Sequence, residues 1–169
     1  MKIRSLERAD AALFQALRLR GLLECPSAFA SSYEEECGLA LEEIGERLNP
    51  TPGRVVLGAF EEAQLVGILG LMREHHIKLA HKAFLWGMYV APEVRHRGIG
   101  RELVGEALRH AATMANVRQV YLGVNAINLP AVNLYKSMGF EEFGREPGFM
   151  LLNDVLHDEI HMVCVLRET

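Results

Sequence analysis

Leu85-Trp86-Gly87-Met88-Tyr89-Val90-Ala91-Pro92-Glu93-Val94-Arg95-His96-Arg97-Gly98-Ile99-Gly100-Arg101 reads as an apolar strand that runs into a basic, glycine-bearing turn and directly into an amphipathic helix. That order implies an anion site. Glycines let the backbone fold tightly, and the first amides of the following helix stay unpaired and available to a phosphate. Arg95, Arg97 and Arg101 add formal charge to those amides. A single charge at a helix N-terminus contributes only about 0.3–1 kcal/mol, so several converging donors are needed to hold a polyphosphate.

Working outward, residues 54–60 and 65–73 read as strands joined across 61–64, and 84–90 as the next strand. Upstream, 2–6 is a short first strand. Leu13, Phe14, Leu17, Leu22 and Leu23 give an apolar helical stripe over about residues 8–24, which Pro26 stops. Residues 27–38 form a polar connection holding Phe29, Tyr33 and the run Glu34-Glu35-Glu36, followed by a short helix near 41–48 and a turn at 49–53. Downstream, Ile99, Leu103, Ala107, Leu108, Ala111 and Met114 give the helix after the turn one broad apolar face. Residues 120–124 are short and apolar, as a buried central strand is. Asn128 then caps a helix with Pro130 in its first turn, closing at Met138-Gly139. Two late strands, 140–144 and 157–166, are expected around a Pro147-Gly148 turn. An antiparallel beginning, a strand-helix-strand centre and a late hairpin make an α/β fold with a mixed, mostly antiparallel sheet flanked by helices.

The 169 residues fit one domain, 1–169, with no repeat or linker to divide it. Half are apolar and 24% charged, which argues against disorder, and no apolar run approaches the roughly 18–20 residues of a membrane span. The net charge of −4 speaks against non-specific binding of nucleic acid or anionic membrane. The start, Met1-Lys2-Ile3-Arg4-Ser5, lacks the apolar stretch of a secretory signal, so a cytoplasmic protein is expected. Cys25, Cys37 and Cys164 are odd in number and widely spaced, indicating neither a disulfide framework nor a zinc site. His157-Asp158-Glu159-Ile160-His161 is not the His-Glu-X-X-His pattern, and His75, His76 and His81 lack a fourth ligand, so no metal is expected. No P-loop occurs, and Gly98-Ile99-Gly100 lacks the third glycine and downstream acid of a dinucleotide fold.

Arg95-His96-Arg97-Gly98-Ile99-Gly100 resembles the acyl-CoA signature of the GNAT acetyltransferases, Arg/Gln-X-X-Gly-X-Gly/Ala. Asn128-X-X-Ala131-X-X-Leu134-Tyr135-X-X-X-Gly139-Phe140, about 30 residues on, is similar to that family's second conserved segment. The resemblance implies an acetyl-CoA-dependent N-acetyltransferase whose fourth and fifth strands splay apart. Pantetheine would pair with the backbone of Met88, Tyr89 and Val90, and the amides from His96 to Arg101 would hold the pyrophosphate. Asn128 would contact the cofactor arm. Tyr135 would protonate or hold the leaving thiolate, and an amide of the fourth strand, that of Val90, would polarise the carbonyl. The acceptor would be an amine of a small molecule or peptide, and a homodimer is compatible with exposed late strands.

Some relatives carry a glutamate base on the fourth strand, where Trp86 stands here, and others on the fifth, where Gly123 stands. The base is therefore open among Glu34-Glu35-Glu36, His75-His76, His81 and a relayed water. Phe29, Tyr33, Glu34 and Trp86 are the candidates to border the acceptor mouth, the acidic run favouring a cationic amine. The missing strand acids also leave a second reading, a non-catalytic acyl-CoA binding or sensing module.

Overall fold

In the computed structural model, which describes residues 1–166, seven strands form one sheet in the order β1-β2-β3-β4-β5-β7-β6. Residues 167–169, included in the single-domain expectation, lie outside the described residues. The strands are β1 (Lys2–Ser5), β2 (Arg54–Glu61), β3 (Gln64–Arg73), β4 (Lys82–Val90), β5 (Gln119–Asn125), β6 (Glu141–Leu152) and β7 (Val155–Val165). The helices are α1 (Ala11–Glu24), α2 (Tyr33–Glu36), α3 (Leu41–Leu48), α4 (Ile99–Thr113) and α5 (Leu129–Ser137). Every neighbouring pair is antiparallel except β4 and β5. Among the described residues no helix is long and apolar enough to cross a membrane.

The core explains why the central strands read as unbroken apolar runs. Both α1 and α4 pack against β3, so residues facing either way are covered, and Leu57, Leu69 and Leu71 are fully buried. Helix α4 contributes Ile99, Leu103, Val104, Ala107 and Ala111 to this core. Its apolar face is the one the sequence indicates.

Two irregularities open the sheet. Ile68 pairs with Tyr89 but Gly70 pairs with Trp86, so β4 carries one extra residue and bulges around Gly87, whose φ is +65°. Opposite the bulge, Gly70 makes room for an indole: a Cβ there would lie 2.1 Å from Trp86 Cε2. The second irregularity is the short parallel seam. Only Lys82, Ala83 and Phe84 of β4 are in register with β5, against Gln119, Val120 and Tyr121, and beyond them the strands part. The expected splay is present.

Two segments differ from the sequence reading. The late hairpin turns at Asn153-Asp154, between the paired residues Leu152 and Val155, with φ of 49° and 60°. Two successive left-handed residues are what a two-residue hairpin with native twist demands. Pro147-Gly148 instead lies inside β6, where the register slips between Glu146 and Met150; a proline that cannot donate to the ladder is tolerated at such a bulge. The acidic run is also not a plain connection but the short helix α2. Ser32 accepts from the Glu35 amide while the Glu35 side chain accepts from the Ser32 amide.

Candidate active site

Between the diverging ends of β4 and β5 lies a cavity of about 580 Å³ that extends to the start of α4 and one side of α5. At the α4 end, Gly98 is the N-cap in the left-handed region, φ 83°, and no side chain caps the helix. The opening amides of α4 are therefore free to meet an anion. Gly100 serves closeness: a Cβ there would lie 2.8 Å from Met88 Cε and 3.1 Å from Leu134 Cδ2.

Arg95, His96, Gly98, Ile99, Gly100 and Arg101 all border this end. Arg95 Nε donates to the Val90 carbonyl at 2.9 Å, and Arg101 Nη2 to Ser137 Oγ at 2.8 Å, which holds both cations at the rim. Arg97 departs from expectation. It pairs with Glu61 at 3.2 Å, beside the β2–β3 turn, and does not line the cavity. A turn of alternating residue directions separates neighbours that look equivalent in sequence.

The Ala91 amide donates to the Val66 carbonyl at 2.9 Å. Antiparallel alternation then spends the N–H and C=O of Tyr89 on Ile68, its partner, and turns those of Val90 away from β3 toward the gap. Val90 thus offers the outward amide the sequence reading expects. Tyr89 borders the cavity, but its main chain is taken by β3, correcting the expectation that it pairs with a ligand arm. Its ring packs against Gly21 and its hydroxyl donates to Glu24. Met88 lies opposite α5.

Tyr135, on α5, is 7% exposed and donates its O–H to Met88 Sδ at 3.2 Å across the gap. Burial pushes the phenol up to about 12, so the proton stays on the oxygen. Asn128 caps α5 through Oδ1, which accepts from the Ala131 amide at 3.3 Å, and the residue lines the cavity.

At the other end, Phe29, Trp86, Gly123 and Asn125 form the wall. Tyr33 and Glu34 do not line it; α2 packs against α1, and Glu34 is exposed. Glu36 is the member of the run that turns inward, gripped by Arg18 through Nη2–Oε1 at 2.8 Å and Nε–Oε2 at 3.0 Å. His75, His76 and His81 are also absent from the wall. Asn125 is a site residue the sequence reading missed. It is 8% exposed, and its Nδ2 donates to the Ser27 carbonyl at 2.9 Å, tying the end of β5 to the segment after α1. A polar residue closing the apolar run 120–124 was its one visible signal.

The model of the acetyltransferase (GNAT) family matches residues 19–140. The chain belongs to the GNAT acetyltransferase family. This GNAT chain is 30% identical over 149 residues to a spermidine N(1)-acetyltransferase of Vibrio cholerae, covering 85% of this chain and 80% of that protein. It is 29% identical over 120 residues to an L-amino acid N-acetyltransferase of Escherichia coli, covering 71% and 74%. Among solved structures it is similar to yncA of Salmonella typhimurium, solved with its cofactor acetyl-CoA, at a TM-score of 0.82 and 19% identity over 100% of this chain and 95% of that one.

The residues of this acetyltransferase fit acetyl-CoA, the acetyl donor of its family. The uncapped start of α4 with Arg95 and Arg101 suits a pyrophosphate, and the outward amide of Val90 suits an extended amide-bearing arm. Neither Trp86 nor Gly123 supplies an acid to the acceptor end.

Proposed function

We propose that this acetyltransferase transfers the acetyl group of acetyl-CoA to a primary amine of a small molecule or peptide, by direct attack while both substrates are held. The observation that carries the reading is the parting of β4 and β5 beyond Phe84 and Tyr121, which opens one cavity bordered by the α4 turn, Val90 and Tyr135. The basic turn before α4 and the apolar side chains of Phe29 and Trp86 border the same cavity and offer donor and acceptor separate surfaces. Holding them together supplies much of the rate, since well-oriented groups behave as if present at about 10⁵–10⁸ M.

Met88, Val90, Arg95, His96, Gly98, Ile99, Gly100, Arg101 and Asn128 hold the donor in this reading, with the acyl carbonyl polarised by the Val90 amide. Tyr135 donates its proton to the departing sulfur. An acceptor amine with a pKa near 10.4 is protonated at neutral pH, and freeing its lone pair costs roughly 4 kcal/mol. Spermidine and L-amino acids, the acceptors that two relatives are named for, head the acceptor panel. Thiol release measured over polyamines, amino acids, aminoglycosides and peptides, with the acetylated product identified by mass, tests the reading. Turnover with one or more of them is expected. Tight CoA binding with no transfer to any amine would make the protein a binding or sensing module instead.

A further inference from the structure

The space that a side chain on Gly123 would occupy is already filled. A Cβ built on Gly123 would lie 2.0 Å from Glu159 Oε1 and 3.0 Å from Glu159 Oε2. Glu159 reaches there from β7, where Asn125 is its partner across the ladder and Gly123 faces His161, two residues further on. Residues two apart on a strand share a face, so the Glu159 carboxylate, Gly123 and Asn125 all lie on one side of the sheet. That side carries the acceptor end of the cavity. Asn125 binds the Ser27 carbonyl on it, and Phe84 meets Tyr121 there across the β4–β5 seam, with ring centroids 5.7 Å apart.

The surroundings leave the carboxylate available. Its side chain is 16% exposed, and among the described residues no arginine or lysine pairs with it. The charged or titratable groups that face it are His161 on its own strand, with Nδ1 3.7 Å from Oε1, and Glu146 on β6, its partner in register. His161 Nε2 lies in turn 3.4 Å from Glu146 Oε2. The flanking strand β5 presents only Gly123 and Asn125. Glu159 is itself not a wall residue, but its carboxylate overlies one, Gly123. Of the acids and histidines raised by the sequence as bases, Glu36 is held by Arg18, and Glu34, Glu35, His75, His76 and His81 do not border the cavity.

We propose that Glu159 is the general base of this enzyme, its carboxylate delivered from β7 over Gly123 in place of an acid on β4 or β5; this rests on the N-acetyltransfer reading above. Burial first, and the Glu146 charge as well, raise the Glu159 pKa, with His161 pulling the other way. A base poised closer to neutrality is better matched to taking a proton from an ammonium group. In the step, Glu159 accepts one proton from the ammonium group, directly or through one water. The freed nitrogen pair forms the C–N bond to the acyl carbon, and the C–S bond breaks with its electrons on sulfur. Tyr135 protonates that sulfur and is refilled by the second proton leaving the nitrogen. Glu159 returns its proton to solvent, so one amide, one thiol and one proton are formed per turnover.

The test compares the wild type with Glu159→Gln, which keeps the shape and removes the basicity. CoA affinity by calorimetry should be unchanged, showing that the variant is folded, while kcat at neutral pH falls by about 10²–10³-fold, within the range of a positioned base. The variant's rate should climb tenfold per pH unit with the free amine and lack the plateau that the wild-type profile reaches once Glu159 is ionised. Glu159→Ala combined with Gly123→Glu, which rebuilds an acid on β5 in the vacated space, should recover at least tenfold over Glu159→Ala alone. In the CoA-bound wild type the Glu159 carboxyl carbon should titrate by NMR above the ordinary glutamate range. A Glu159→Gln enzyme with wild-type kcat and pH profile, or a carboxyl titrating as a free glutamate, would overturn the base. Wild-type protein that binds CoA and acetylates no amine would overturn the N-acetyltransfer reading itself.

Discussion

A single hydroxyl at Tyr135 separates chemistry from stability. The ring is anchored by Phe140, edge-on with centroids 5.8 Å apart, whereas the O–H meets only the thioether of Met88, a weak acceptor. Tyr135→Phe therefore keeps the packing and gives up, at most, about 0.5–1 kcal/mol of hydrogen bonding. If this hydroxyl delivers the proton to sulfur, kcat at saturating substrates falls by roughly 10²-fold while CoA affinity stays. The phenol is held protonated up to about 12, so the loss should be the same at every pH of an ordinary assay. Steady-state kinetics across the pH range check this, and a deficit that vanished toward high pH would contradict it. Tyr135 was legible because Leu134-Tyr135 and Gly139-Phe140 stand in a recognisable spacing. The place of the Glu159 carboxylate was not, because it comes from the register of β7 on β5 and from the missing side chain at Gly123, neither of which is a local property of the sequence.

The start of α4 works through geometry that only one residue type allows cheaply. Gly98 has φ 83°, and a Cβ there would meet nothing within 4 Å, so Gly98→Ala tests backbone strain without a clash. Left-handed backbone costs a non-glycine residue roughly 1–2 kcal/mol, and relief of that strain would rotate the amides away from a phosphate. Gly98→Ala should lower unfolding stability by about 1 kcal/mol and weaken CoA binding at least tenfold, read by urea denaturation and calorimetry. Unchanged affinity would mean that the turn amides do not hold the donor. At this scale the sequence was a good guide where periodicity or capping chemistry is strong, as for α4, β2, β3 and the Asn128 cap of α5. It misled where two turn signals competed. Pro147-Gly148 is the louder dipeptide, yet Asn153-Asp154 supplies the two left-handed residues of the hairpin, and the proline lies in a bulge. Arg97 likewise shares the basic turn with Arg95 but faces Glu61.

Across the whole molecule the sheet is two antiparallel halves, β1 to β4 and β5 to β7, joined in register by three residue pairs. Past that seam the halves are linked by contacts such as Asn125 to Ser27 and Tyr135 to Met88. The cavity is bordered by both halves, with Trp86 to Val90 on one side and Leu122 to Asn125 on the other. A ligand lying in the gap replaces the ladder that β4 and β5 do not make, and it binds only the folded arrangement of the two. CoA at 100 times its dissociation constant should therefore stabilise the fold by about 2.7 kcal/mol, raising the thermal midpoint by roughly 5–10 °C for a chain of this size. The distribution of that gain is the sharper test. Amide hydrogen exchange with and without CoA should show slower exchange at residues 88–90 of β4 and at 122–125 of β5 together with the first turn of α4. Protection confined to α4 would mean that the ligand is gripped by its phosphates alone and leaves the seam open, which would remove the physical basis for placing the thioester between the two half-sheets.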